Sequence, residues 1–309
     1  MKRLLSICSV ILFFLFLGVL IIRNTKGNSN EGFTIGVEIG TIYEELGQDL
    51  QKIKLLRGFH DVGSQFHALA DRQVDAVITD RLIGLGEIQK KDFQNIFPVG
   101  ELRFREEKAA AIRKNDNSLR QMLNRGLAEI MQNGQYETIS KYYFGRNIMK
   151  DLKETAKLER TKAESVADDG SWEAVRRRDW LIFAFSANNP PFSYYNVHHV
   201  FTGFDIEIAR EVCHRLGIGH FLAIPIDDAR MMAGLRAGIY DAVWGGIPVN
   251  KITRTGFNFT NPFCITGAQL FVREGVALTG FRTLGLPKLP EPPPIGEFLK
   301  KEDPDDFYL

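Results

Sequence analysis

The chain has 309 residues, 44% of them hydrophobic and 25% charged, proportions of a folded globular protein that exclude general disorder. That length is more than one compact core usually organises, and it predicts two lobes of about 100–150 residues each. Lys plus Arg number 39 against 38 Asp plus Glu, and no basic stripe is interleaved with aromatics, so no nucleic-acid partner is expected.

The N-terminus stands apart. "MKRLLSICSVILFFLFLGVLIIRNTKG" places two basic residues before an uncharged run from Leu4 to Ile22. The run is longer than the roughly 7–15 residues of a secretory apolar region and approaches the ~20 that span a bilayer. No A-x-A-like cleavage site follows. Residues 1–30 therefore read as a membrane anchor or an export signal with a polar spacer, and both readings place the rest of the chain in the periplasm or otherwise outside the cytoplasm. Basic residues on both flanks (Lys2, Arg3; Arg23, Lys26) do little to fix orientation.

Next, "FTIGVEIGT" alternates as a strand does and breaks at Gly40. "IYEELGQDLQKI" follows with acids in its opening turn, as a helix start does, and Thr41 is placed to cap it. A helix is predicted over 63–72, "QVDAVITD" is a short buried strand, and "KAAAIRKN" is another strand. "SLRQMLNRGLAEIMQNGQYETISKYYFG" carries apolar residues at helical spacing, interrupted at Asn133–Gly134. Residues 147–177 are rich in charge and poor in large apolar side chains, a solvated and partly helical linker.

The second block opens with "DWLIFAFSANNPPFSYYN", a strand running into a Pro-Pro turn. "TGFDIEIAREVCHRLGI" is an amphipathic helix with Ile206, Ala209, Val212, Cys213 and Leu216 on one face. A helix over 228–237, the strand "YDAVWGG", "FNFTNPF" and the strand "AQLFVRE" complete the block, and the tail 276–309 is Pro-rich and then acidic. Strands alternate with helices throughout, which predicts a mixed α/β fold with largely parallel sheets. Cys213 and Cys264 are either a disulfide pair or two buried thiols. The six His show no metal spacing, and His198–His199 fall in a hairpin turn. No metal or cofactor is expected.

One phrase is written twice, "LADRQVDAVITD" at 69–80 and "LRAGIYDAVWGG" at 235–246. Leu69 precedes Asp75 by six residues, and Leu235 precedes Asp241 by six. Each phrase reads as a helix–turn–strand unit whose Asp serves the turn into the strand. The endings differ where the strand's C-terminal end opens, and in open α/β sheets ligands bind outside those ends. Asp80 and Gly245–Gly246 occupy those positions.

Taken together, these stretches resemble the bacterial extracellular solute-binding proteins of family 3, the amino-acid-binding components of ABC importers. "PPFSYY…FTGFDIEIAREVCHRLGI", "LRAGIYDAVWGG" and "FNFTNPF" are similar to that family's first lobe. "IGVEIGTIYEEL", "LADRQVDAVITD" and "LAEIMQNGQYETISKYYFG" are similar to its second lobe and return helices. The order is reversed relative to the family. The resemblance thus implies a two-lobed periplasmic-binding-protein (Venus flytrap) fold, either circularly permuted or built from two partial modules. Residues 31–106 form the second-lobe-like domain, 107–146 a hinge strand and the return helices, and 178–275 the first-lobe-like domain. Hinge strands are expected around Ala109–Arg113 and Gln269–Arg273.

The family holds its ligand between the lobes. The resemblance implies that Asp80 grips a ligand ammonium. Gly40 and Thr41 stand where a loop meets a helix N-terminus, which either attracts an anion or is simply capped by Thr41. On the other wall the family's carboxylate-pairing Arg is matched by Thr253, with Arg254 one place late, and Asn250 replaces a Thr. Asn189 and Asp228 stand at positions where the family stacks aromatics, so Phe192, Tyr194 or Trp244 would have to substitute. Gly245, Gly246, Asn250, Arg254 and Asp228 complete the expected ligand-binding set. The implied function is non-enzymatic: two lobes close around a small polar solute, an amino acid or related amine, for an ABC permease or a membrane sensor. The alternatives are a degenerate module without ligand and a cyclohexadienyl-dehydratase-like enzyme on the same fold.

Overall fold

The computed structural model describes residues 32–48, 53–155, 169–245 and 255–276. In chain order the first block gives β1 (Phe33–Glu38), α1 (Ile42–Gln48), β2 (Ile53–Phe59), α2 (Val62–Ala70), β3 (Ala76–Asp80), α3 (Arg81–Glu87) and β4 (Ile96–Lys108). Then follow β5 (Ala111–Arg113), α4 (Asn117–Gln132), α5 (Gln135–Phe144) and α6 (Met149–Thr155). The second block gives α7 (Ser171–Arg178), β6 (Trp180–Ser186), the hairpin β7 (Tyr194–Tyr195) and β8 (Phe201–Thr202), α8 (Phe204–Arg215) and β9 (His220–Ile226). It ends with α9 (Asp228–Arg236), β10 (Ala242–Val243), β11 (Phe257–Phe259) and β12 (Cys264–Arg273).

Two five-stranded sheets result, ordered β2-β1-β3-β12-β4 and β9-β6-β10-β5-β11. The orders correspond strand for strand. In each sheet the first three strands pair in parallel, and the fourth is antiparallel to both of its neighbours. The sheets are therefore mixed rather than largely parallel. Neither block completes a sheet alone: β5 comes from the first block into the second sheet, and β12 comes from the second block into the first. The two halves of the chain interlock through this exchange.

The chain crosses between sheets twice, at residues 109–110 and 260–263. Lys108 pairs with Cys264 at the end of one sheet and Ala111 with Phe259 at the end of the other. Between them Phe263 N–H donates to the Lys108 carbonyl at 2.9 Å, Thr260 N–H to Ala110 O at 3.0 Å, and Ala110 N–H to Thr260 Oγ1 at 2.9 Å. The first expected hinge strand thus starts at a crossing. The second does not: Gln269–Arg273 runs inside the first sheet, paired to β3 and β4, and its crossing lies upstream at 260–263.

The repeated phrase has the same job in both lobes. Asp75 Oδ2 accepts the Thr34 N–H of β1 at 2.8 Å, and Asp241 Oδ2 accepts the Ile182 N–H of β6 at 2.9 Å. Each Asp also donates its own N–H to that neighbour's carbonyl, at 2.8 Å in both lobes. An arginine closes each unit: Arg273 donates to Leu69 O and Val74 O, and Arg113 donates to Leu235 O and Tyr240 O. Both leucines are fully buried.

The core follows from the alternation. Leu82 and Leu85 of α3 share one buried cluster with Phe144, Phe192, Phe204 and Ile265, so apolar packing is continuous from lobe to lobe. Within the charged segment 147–177, α6 buries Leu152 behind a buried Ile148 and forms the Asp151–Arg81 ion pair at 2.8 Å. Ahead of α7, Asp169 accepts Ser118 N–H at 2.9 Å, Ser171 Oγ accepts Leu119 N–H at 3.1 Å, and Ser118 Oγ accepts Trp172 N–H at 3.0 Å. Two helix starts cap each other. Residues 1–31, the tail beyond Val276 and 156–168 lie outside the described residues, and among the described residues no helix is long and apolar enough to cross a membrane.

Candidate functional site

The site is built where β3 ends and the crossings begin. Asp80 closes β3 and is the N-cap of α3, its Oδ1 accepting Leu82 N–H at 2.8 Å and Ile83 N–H at 3.2 Å. The Thr266 hydroxyl of β12 donates to the same oxygen. Oδ1 is thereby committed to the fold, while Oδ2 stands outside this set of bonds. The Tyr43 phenol of α1 is pushed well above its ordinary pKa, first by burial, then by the charges of Asp80 and Glu106, a hydrogen bond to Asp80 and the charge of Glu38. Burial, with help from Asp61, also raises Glu38. This wall is therefore anionic and suits a cation.

Gly40 and Thr41 are differently employed. Glu44, in the first turn of α1, accepts the Gly40 N–H with its own carboxylate at 2.8 Å. The Thr41 hydroxyl donates back to Glu38 O at 2.7 Å rather than accepting a helix N–H. The chain's own acid fills the place expected for a bound anion, and Thr41 does not cap through its side chain.

On the opposite lobe, Asp205 lies in the first turn of α8, 2% exposed, with no hydrogen-bond partner for Oδ1. Its pKa is raised to about 7, first by burial, with Lys108 pulling the other way. Gly245 follows directly: a Cβ there would overlap Asp205 Oδ2, and its φ of +77° also favours glycine. Trp244 is fully buried, its ring centroid 5.3 Å from that of Phe183 and 5.4 Å from that of Phe263. Phe192 is buried too, 6.2 Å from Phe144. Neither ring offers an open face for stacking, because both complete the apolar layer beneath the crossings. Tyr194 is half-buried in β7.

Cys264 marks the junction. Its thiol is fully buried and pushed up by burial first, and it feels Asp205, Lys108 and Asp80 together. The charges of Asp80 from one lobe, Asp205 from the other and Lys108, its partner in the ladder, thus all act on this one thiol. Close by, α3 meets the Pro190–Pro191 loop so tightly that a Cβ at Gly86 would sit 2.9 Å from Pro191 Cγ. Asp228 is exposed in the first turn of α9, next to the N-cap Asp227, and no described contact joins it to Asp80 or Gly245. Gly246, Asn250 and Arg254 lie outside the described residues. Cys213 and Cys264 are free and buried. Among the described residues no three His, Cys, Asp or Glu are grouped to hold a metal ion.

Residue patterns did not single out Tyr43, Thr266, Lys108 or Asp205. Asp205 had a visible signal, an acid directly inside a helix start, but that is equally the mark of an ordinary helix N-terminus. Thr266 had none, since it meets Asp80 across 186 residues of chain.

The profile of the bacterial extracellular solute-binding proteins, family 3, matches residues 23–146 and 181–306. Among curated proteins, the L-cystine-binding protein TcyJ of Escherichia coli is 31% identical over 121 residues, 39% of this chain and 45% of that protein. The arginine-binding extracellular protein ArtP of Bacillus subtilis is 25% identical over 119 residues, 37% of this chain and 46% of that one. The chain spans about half the length of the curated relatives it matches. Among solved structures, the L-cystine solute receptor of Neisseria gonorrhoeae in its unliganded open conformation shares 26% identity over 27% of this chain and 35% of that chain, with a TM-score of 0.26.

Proposed function

The chain belongs to the bacterial extracellular solute-binding proteins of family 3, and on that premise we propose that its lobes close around a small solute bearing an amine, most simply an α-amino acid. The observation that carries this reading is the division within Asp80. Oδ1 is held by two backbone amides and Thr266, which fixes the carboxylate, the Tyr43 phenol bonds to Asp80 as well, and the acceptor capacity left on Oδ2 would meet an ammonium. Tyr43, Glu38 and Glu106 surround that position with negative charge and with a phenol that stays neutral. The curated relatives named for cystine and arginine supply chemically suitable candidates, each an amino acid with a further polar or cationic end. Residues 4–22 would tether or export the protein, and the liganded form would be read by an ABC permease or a membrane sensor. Ligand contacts made only in the closed form are what select closure.

The test is a thermal-shift and calorimetry series with L-arginine, L-cystine, ornithine and putrescine. A solute at 100 times its Kd stabilises the folded protein by about 2.7 kcal/mol. Asp80→Asn keeps a carbonyl oxygen for the α3 cap and removes the charge. It should weaken binding of the active solute roughly 10-fold or more with little loss of melting temperature. No stabilisation by any of the four, or equal binding by the variant, would overturn the reading.

A further inference from the structure

We propose that α6 is a strap between the lobes: fixed to the lobe of the second sheet and ion-paired to α3 of the other, it limits how far the two separate at the crossings. The inference concerns the protein without solute and stands apart from the amine reading above.

One end of the strap is held by α5. Tyr136 and Phe144 of α5 meet Phe204 of α8 edge-on, with ring centroids 5.9 and 4.9 Å apart, so α5 belongs to the lobe of the second sheet. The chain reverses at Gly145, and Ser140 staples the turn. Its hydroxyl donates to Arg146 O at 2.6 Å and accepts Ile148 N–H at 2.9 Å. Ser140 and Ile148 are both fully buried. Thus α6 leaves α5 in a fixed direction.

The other end reaches the opposite lobe. Leu152 joins the buried cluster that contains Leu82 and Leu85 of α3, and α6 packs on β12. Asp151 pairs with Arg81 at 2.8 Å, with side chains 13% and 9% exposed. Arg81 is the first residue of α3 and follows Asp80, so the strap takes hold at the helix that caps β3. Two further contacts from the second-sheet lobe press on the same helix: Pro191 on Gly86, and Gly145 on Gln89 just past its end. The strap itself lies outside both segments that the family profile matches.

Charge makes the hold conditional. Burial is the first cause that lowers the Arg81 pKa, Asp151 acts against it, and the charges of Arg146 and Arg105 add to it. Arg105 belongs to β4, in the lobe of Arg81, whereas Arg146 belongs to the turn between α5 and α6. With Asp151 ionised, the contact between lobes is an attraction across the pair. With Asp151 neutral, an enclosed cation remains under the charge of a second cation carried by the other lobe, and the contact becomes a repulsion. Removing one partner of a buried pair leaves the other charge uncompensated, and separation of the lobes lets water reach it.

The experiment measures the distance between spin labels on Leu55→Cys of β2 and Leu222→Cys of β9, exposed positions on outer strands of the two sheets. It uses the full chain with Cys8→Ser and no solute; Cys213 and Cys264 are buried. Asp151→Asn should shift the distribution to longer distances or add a longer population. Combining it with Arg81→Met removes both charges and should return the distribution toward the wild type. If the Asp151→Asn chain does not fold, Leu152→Ala loosens α6 without baring a charge and should lengthen the distance in its place. Leu69→Ala, a truncation in a separate buried cluster, should leave the distance unchanged. The proposal is overturned if Asp151→Asn, or Leu152→Ala in its place, keeps the wild-type distribution. It is overturned equally if the double variant stays long, or if Leu69→Ala shifts the distance as much, which would mean general loosening.

Discussion

The Asp205 carboxylate is withdrawn from water without a partner for Oδ1, and burial is the first cause that lifts its pKa to about 7, against a smaller pull from Lys108. The groups facing it are Lys108, the Cys264 thiol and the Tyr136 phenol, with Gly245 backing Oδ2. In the unfolded chain the same carboxyl titrates at about 3.9. Between about 4 and about 7, the folded protein retains a proton that the unfolded chain has released. Stability from this group therefore declines as pH rises through that window and is level above it. Asp205→Asn should remove the decline, matching the wild type near pH 4 and exceeding it at pH 8, as read from urea midpoints across the range. If the variant keeps the wild-type slope, another group is responsible. The same residue shows a limit of pattern reading: a carboxylate at a helix start looks identical in sequence whether it faces water or is buried against Gly245.

Each lobe locks its helix–turn–strand unit with one arginine, and the correspondence can be tested. Arg113 and Arg273 each donate to a leucine carbonyl at the end of a helix and to the carbonyl before the strand's Asp, in the same register. Arg113→Met and Arg273→Met remove the arginine donor from Tyr240 O and Val74 O, while Leu235 O and Leu69 O keep the Gly238 and Arg72 N–H groups. Each should cost about 1.5–3 kcal/mol in chemical denaturation, as for hydrogen bonds to a charged group. A cost confined to one of them would deny that the units are equivalent. The sequence revealed this unit because Leu, Asp and Ala-Val recur at fixed spacing. It concealed β2 and β4, and the predicted helix over 42–53 ran into the start of β2. "IKLLRGF" and "FPVGELRFREEK" lack clean alternation because both are edge strands, exposed along much of their length and held by backbone pairing to β1 and β12. Of the proposed site, Asp80 at the end of β3 and Gly245 two residues beyond β10 are positions that the strand-end rule singles out. Phe192, Trp244 and Asp228 could not be placed, since spacing does not say which side of a strand or helix meets the cleft.

The exchange of β5 and β12 makes a prediction about the whole molecule. Each sheet needs one strand from the other half of the chain, so the two blocks can fold only together, in whichever order they are connected. Phe33 and Val276, at the two ends of the described chain, pack against one buried cluster that includes Ile35, Val37, Ala268 and Val272. Joining residue 276 to residue 32 by a short flexible linker, and opening the chain within 156–168, restores the family's order without breaking any described strand or helix. The new ends would leave α6 anchored by Ile148, Leu152 and the Asp151–Arg81 pair, and α7 anchored by the Asp169–Ser118 clamp. Circular permutation is tolerated where the new ends break no packed element. Loop-closure terms grow slowly with length, about 0.6 kcal/mol per doubling, so the reordered chain should match the original in urea midpoint to within about 1 kcal/mol. It should also bind the same solute with an affinity within a few-fold, since Asp80 and Asp205 keep their neighbours. If the reordered chain aggregates, or folds but loses binding while the original retains it, then the two halves do not meet as complementary lobes around one junction.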